Sequence, residues 1–278
     1  MTVVLYTLMI IFILLLLWIL MLSPRKNGPS IKDMQPFDYA HRGLFNENDG
    51  IDENSMEAFR KATEKGFGSE LDLHLTKDGK VVVMHDESLK RTAGVDINIS
   101  DCTLEEIRKH RLKYTGEIIP TFEDVLSLVA GRVPLIIELK TVKGNYAELT
   151  KATLEVLKEY KGKYAIESFD PRVVYWLKNN RPDIIRGQLA ENFSLQKGTV
   201  NPVLGFFLKN LLTSFLTKPD FISYRVEDRN SLSLRASKAI YGVNLAYWTV
   251  RDRELVRKLK KNGALIIFEY PNQRIKKK

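Results

Sequence analysis

From Phe37 onward, short runs rich in β-branched and aromatic residues alternate with helical runs, and the alternation repeats eight times. The β-rich runs are Phe37–Arg42, Ser69–Leu75, Val133–Leu139, Tyr164–Ser168, Ile184–Ala190, Asp220–Tyr224, Gly242–Thr249 and Ala264–Tyr270. Helix starts separate them. Asn54 followed by Glu57, and Thr103 followed by Glu106, read as capping boxes. Asp170-Pro171 sets a cap before a first-turn proline, and Asp252 opens a helix that Gly263 closes. Eight β-then-α units in roughly 240 residues predict an α/β fold, a (β/α)8 TIM barrel forming one domain. An open doubly wound sheet is disfavoured, because no G-x-G-x-x-G turn follows the first strand.

One extra strand interrupts the pattern. Asp78-Gly79 is a hairpin signal, and Val81–His85 follows it. With these two residues at the centre of the turn, His85 is expected opposite Asp72, and the hairpin to stand above a barrel of eight parallel strands. Glu70, Asp72 and His74 share one face by the two-residue strand period, and Glu138 ends the next parallel strand. Carboxylates converging inside apolar runs such as PLIIELK require a compensating cation. A hard divalent ion fits, since three carboxylates leave room for water and a substrate phosphate. His41-Arg42-Gly43, His85-Asp86, Lys140 and Ser168 add polar groups at or beyond strand C-terminal ends, where barrel chemistry is done.

Upstream, Val3–Leu22 contains one residue outside the hydrophobic set, Thr7. At ~1.5 Å per residue such a run crosses a bilayer's hydrocarbon core. It lacks a basic leading region and an A-x-A-like cleavage site, which favours an uncleaved anchor over a signal peptide. Arg25, Lys26 and Lys32 follow the span, so the positive-inside rule assigns the domain to the cytoplasmic side of the cell membrane. The single cysteine, Cys102, agrees with a reducing compartment and excludes a disulfide scaffold. The chain thus divides into an anchor (3–22), a polar tether (23–36), a barrel domain (37–271) and a basic tail (272–278). The formal net charge of +9 comes without a nucleic-acid recognition motif, which makes anionic membrane lipid the better partner.

HRG at 41–43, DENSMEAF at 52–59, ELDLHLTKDGKVVVMHD at 70–86, ELK at 138–140, ESFDP at 167–171 and YWTV at 247–250 together resemble the glycerophosphodiester phosphodiesterase family. The resemblance runs in order through essentially all of Phe37–Pro271. It implies a TIM barrel that hydrolyses glycerophosphodiesters to glycerol 3-phosphate and an alcohol with a divalent metal, Ca²⁺ or Mg²⁺. It implies Glu70, Asp72 and Glu138 as metal ligands and His41 and His85 as the acid/base pair. It implies Arg42 and Lys140 on the phosphate, and Trp248 as a further substrate-binding residue. Asp52-Glu53-Asn54-Ser55 stands where family members often show P-E-N-T, a harmless exchange, and two further positions depart from the family pattern. Glu269 stands where Asp is common before x-Pro, and Arg251 where Asn is usual after WTV; both are expected on the substrate rim.

This chemistry suits the residue types. A phosphodiester repels nucleophiles until cations neutralise its oxygens, and imidazoles exchange protons near neutral pH. Of the pair, His41 is read as the base and His85 as the acid. His74 is expected to line the rim, and His110 to be solvated on a basic helix. Asn201–Thr217 is more apolar than a surface helix needs, and reads either as a helix packed under the barrel loops or as an interfacial segment dipping into lipid through Phe206, Phe207 and Leu211. It lies at the active-site end and opens lysophospholipid as a substrate. A lysophospholipase D or sphingomyelinase D-like enzyme is the alternative within this chemistry. A non-catalytic anchored phosphate- or lipid-binding protein is the alternative outside it, and would be expected to have lost a histidine or ligand.

Overall fold

The computed structural model describes residues 1–193 and 201–270. The basic tail expected at 272–278, and Pro271, lie outside the described residues. Nine strands are found among them: β1 (Asp38–Ala40), β2 (Gly68–Leu75), β3 (Val81–Val83), β4 (Leu135–Leu139), β5 (Tyr164–Ser168), β6 (Arg186–Ala190), β7 (Phe221–Arg225), β8 (Asn244–Val250) and β9 (Leu265–Phe268). All except β3 pair in parallel in the order β1-β2-β4-β5-β6-β7-β8-β9, and β9 closes onto β1. This is the expected eight-stranded parallel barrel. Strand residues alternate between its interior and an outer layer, where Leu71, Leu73 and Ile137 meet Phe122, Val125 and Leu149 of the surrounding helices.

β3 is the expected excursion, antiparallel to the upper part of β2, but its register differs by one residue. Leu73 pairs with Val83 and His74 with Val82, so Met84, and not His85, comes opposite Asp72. The turn explains the shift. Thr76 and Lys80 close it around three residues, with Gly79 left-handed at φ 76° and the Lys80 amide donating to Thr76 Oγ1. His85 follows the end of the strand and still reaches the barrel mouth.

Three of the four helix starts form as expected. Thr103 and Glu106 make a reciprocal capping box, and Asp170 and Asp252 accept from the amides of Arg172 and Leu255. The fourth is displaced by one residue. Ser55 caps helix Met56–Glu64, while Asn54 takes a left-handed φ of 55° and turns inward. His110 follows the short helix Leu104–Ile107 in a turn and is half-buried. The apolar segment 201–217 is not one helix. It forms Pro202–Lys209 and Ser214–Thr217, joined through Leu211, which is left-handed (φ 58°) and fully buried. Leu211 is therefore core and not a lipid-facing side chain.

Helix Thr2–Met21 has the length and composition to cross a membrane, and the side chains up to Leu17 are exposed. Its last turn docks at the base of the barrel, where Tyr241 Oη donates to the Ile19 carbonyl and Leu22 is fully buried. Residues between this helix and β1 also hold to the base. Arg25 lies 3.6 Å from Asp220, Asp33 pairs with Lys163, and Ile31 and Met34 pack among Tyr39, Ile136, Phe221 and Ile267 as the floor.

Candidate active site

Parallel register builds the site. Asp72 of β2 pairs with Glu138 of β4, and Glu138 with Glu167 of β5, so three neighbouring strands present carboxylates at one level. Glu70 lies two residues below Asp72 on the same face. All four are buried. Oxygens of Glu70, Asp72 and Glu138 lie within 4.8 Å of one another, close enough to ligate one ion. Burial and the neighbouring carboxylates push Glu70 and Glu167 well above the usual carboxylate range; burial lifts Glu138 to about 7 against the pull of Lys140. Burial would raise Asp72 as well, but Lys140, His85 and Arg42 hold it well below its ordinary value.

Two cations face these four carboxylates. Lys140 Nζ lies 3.1 Å from Asp72 Oδ1 and 2.7 Å from Glu138 Oε1. Arg42 donates its backbone amide to Glu70 and its guanidinium to Glu53, with Nε 3.5 Å from Asp72. The excess of negative charge and the all-oxygen donor set suit a hard divalent cation. Arg42 reaches this position because it sits in the left-handed region (φ 57°) before Gly43, also left-handed at φ 77°. A Cβ on Gly43 would lie 2.9 Å from the Ala58 backbone, so this turn requires glycine.

Both histidines are held through Nδ1. His41 Nδ1 is 2.7 Å from Glu269 Oε1, while its Nε2 faces Glu70 at 3.9 Å. His85 Nδ1 is 2.6 Å from Asp86, which binds Arg91; Arg91 in turn binds Glu53, the partner of Arg42. A carboxylate on each Nδ1–H leaves each Nε2 available to a reactant. Burial lowers the pKa of both rings, aided by Arg42 at His41 and by Lys140 at His85, where it falls to about 4.

His41, Arg42, Glu70, His85, Glu138, Lys140 and Trp248 line one cavity of about 470 Å³ at the C-terminal ends of the strands, with Asp72 buried beside them. The structure thus brings together all the site residues expected from the sequence. One wall is aromatic: Phe169 stacks edge-on against Phe193 and Trp248, with ring centroids 5.8 and 5.6 Å apart. His74 is not on the rim. It is buried beneath the hairpin, between the His85 carbonyl and Glu87.

Other site residues were not anticipated from the sequence. Glu167 occupies in YAIES the position that Glu138 occupies in LIIEL, a match of register visible in the strand pattern alone. Asn54 donates to Asp72 Oδ2, which its reading as a helix cap had hidden. Glu269 and Arg251, expected on the rim, form a unit behind His41. Arg251 binds Glu269 Oε2 at 2.8 and 3.0 Å while Glu269 Oε1 holds the imidazole.

Residues 41–269 match the glycerophosphoryl diester phosphodiesterase family. A glycerophosphodiester phosphodiesterase of Caldanaerobacter subterraneus subsp. tengcongensis is 31% identical over 83% of this chain and 92% of its own length. A human lysophospholipase D is 33% identical over 62% of this chain and 55% of its own. A phosphodiesterase of Oleispira antarctica, solved with its product sn-glycerol-3-phosphate, shares the fold with a TM-score of 0.71. That superposition covers 88% of this chain and 97% of the other at 24% identity. With an acidic triad, two oriented imidazoles and two cations on one barrel mouth, the chain belongs to the glycerophosphoryl diester phosphodiesterase family and is a glycerophosphodiester phosphodiesterase.

Proposed function

We propose that this enzyme uses His41 and His85 for acid/base catalysis and a divalent ion, Ca²⁺ or Mg²⁺, held by Glu70, Asp72 and Glu138. The observation that carries the reading is the matched pair of imidazoles, each held through Nδ1 by a carboxylate beside the triad. When bound, the ion supplies charge that draws electrons from the phosphate. Arg42 and Lys140 hold the phosphate's non-bridging oxygens, and the aromatic wall of Phe169 and Trp248 flanks the organic part of the substrate. His41, the deeper ring, takes the proton of the attacking hydroxyl at Nε2. His85, on the open side, is protonated at Nε2 when the anionic phosphate binds beside it, and gives that proton to the departing alkoxide. Whether water or the neighbouring glycerol hydroxyl attacks, the same two groups serve. Glu269 keeps the His41 tautomer with its proton on Nδ1, and Arg251 holds Glu269 in place through its other oxygen.

We further assign helix Thr2–Met21 as a single-pass membrane anchor, with the barrel on the cytoplasmic side at an anionic surface and a role in lipid metabolism. Its exposed apolar length and its basic C-terminal flank support this. The likeness to a human lysophospholipase D supports lysophospholipids as a second substrate class. The test is release of glycerol 3-phosphate from glycerophosphocholine by the full chain in detergent. Turnover is expected to stop on chelation, to return with Ca²⁺ or Mg²⁺, and to be lost in His41→Ala and His85→Ala. Undiminished turnover in EDTA, or in either histidine variant, overturns the assignment.

A further inference from the structure

The excursion between β6 and β7 carries apolar side chains that no described residue covers. Val203, Leu204, Phe206, Phe215 and Leu216 are exposed, Val203 by 67% and Phe206 by 59%. They form a strip with two defined ends. At the upper end, Gly205 packs on Phe193, where an added Cβ would lie 3.2 Å from the Phe193 Cβ, and Phe193 lines the catalytic cavity. At the lower end, helix Ser214–Thr217 touches the N-terminal apolar helix, and Lys218 Nζ donates to Ser23 Oγ just after it. Uncovered apolar surface therefore runs from the end of that helix to the rim of the mouth.

Charge on the strip has one sign. Residues 201–218 include Lys209 and Lys218 and no acidic residue, and Lys178 reaches in from the neighbouring helix to the Leu216 carbonyl. The nearby carboxylate of Asp220 is already engaged by Arg25 and Arg186. Nor is the intervening chain slack. Arg25, Ile31, Met34 and Gln35 all hold to the base of the barrel, so the end of the apolar helix is pinned on the side that bears the strip. Apolar side chains bordered by lysines are the composition of a surface that beds into a lipid interface.

We propose that this strip lies in the interface of the bilayer crossed by helix Thr2–Met21, with Lys178, Lys209 and Lys218 at the level of anionic headgroups, so that the mouth meets the membrane at Phe193. The proposal rests on the anchor reading above. The test uses the full chain in a Cys102→Ser background, with single dye-labelled cysteines at F206C, L216C and R60C. Arg60 lies on helix Met56–Glu64, across the barrel from the strip. Vesicles contain about one quarter phosphatidylglycerol and a nitroxide on the lipid chain near the headgroup. Dyes at 206 and 216 are expected to be quenched at least about threefold more than the dye at 60. Equal quenching at the three positions overturns the proposal. So does protection in detergent that grows with protein concentration, because it marks a second copy of the chain as the occupant. Carbonate-resistant flotation reports the anchor separately. A chain that floats but shows equal quenching loses the strip alone, and one that does not float loses anchor and strip together.

Discussion

His41 owes its orientation to a carboxylate 228 residues away in sequence, Glu269, which Arg251 holds from the other side. Buried imidazole without that partner would be free to rotate or to exchange tautomers, presenting the wrong nitrogen to the reactant. Glu269→Gln is therefore expected to lower kcat by roughly 100-fold with little change in KM, because the bond orients and does not bind substrate. Steady-state kinetics of the purified full chain check this; a kcat within about twofold of wild type would remove Glu269 from the mechanism. Arg251→Ala is expected to have a smaller effect of the same kind. Asn54 carries a helix-cap signal that points away from its bond to Asp72, whereas the likeness of YAIES to LIIEL marks Glu167 in the strand pattern itself.

Among the elements, helix Pro171–Asn180 tests a charge and the floor tests packing. Asp170 caps that helix, accepting from the Arg172 amide and guanidinium and from Thr141. Burial would raise its pKa, but these donors hold it below the usual aspartate range. A depressed carboxylate adds stability that is full above its unfolded pKa of about 4 and is lost as pH falls through the folded value. Asp170→Ala is expected to cost about 1 kcal/mol near neutral pH, with denaturation curves of variant and wild type converging in acid. A gap that stays constant into acid would show that charge plays no part. The floor depends on Met34, which is 1% exposed beneath the barrel. Met34→Ala is expected to cost about 2–5 kcal/mol by urea denaturation, and a chain beginning at Phe37 to lose still more. An unchanged midpoint in Met34→Ala would mean the barrel closes without that segment.

For the whole molecule, metal binding and membrane contact should each register in bulk measurements. An ion at Glu70, Asp72 and Glu138 relieves mutual repulsion among buried carboxylates, and binding the folded state alone raises stability by about 2.7 kcal/mol at 100 times Kd. Added Ca²⁺ or Mg²⁺ is thus expected to raise Tm by about 5 °C or more, and Glu70→Gln to abolish the shift. A Tm indifferent to both ions would remove the triad as a metal site. At the membrane, replacing Val203, Phe206 and Leu216 together with serine is expected to lower turnover of vesicle-borne lysophosphatidylcholine by about fivefold or more. Glycerophosphocholine in solution should be hydrolysed at the wild-type rate, and equal losses on both substrates would argue against membrane contact.

Strand order, the eight-stranded barrel, the apolar N-terminal helix and the three converging carboxylates are legible in the chain. Each rests on a local signal: a period of two or 3.6 residues, a cap, a turn dipeptide, or carboxylates inside an apolar strand. Tertiary structure decided what depends on contacts between distant segments. The hairpin register followed from a turn closed by Thr76 and Lys80, which no dipeptide signal encodes. The Arg251–Glu269–His41 unit, Asn54 on Asp72 and the docking of residues 23–36 beneath the barrel exist only once the sheet has closed. Closure also made Leu211 core while leaving Phe206 exposed, within one run of near-uniform hydropathy. Hydropathy determines that such a run must be covered, whereas the neighbours brought together by folding decide which side chains the protein covers itself.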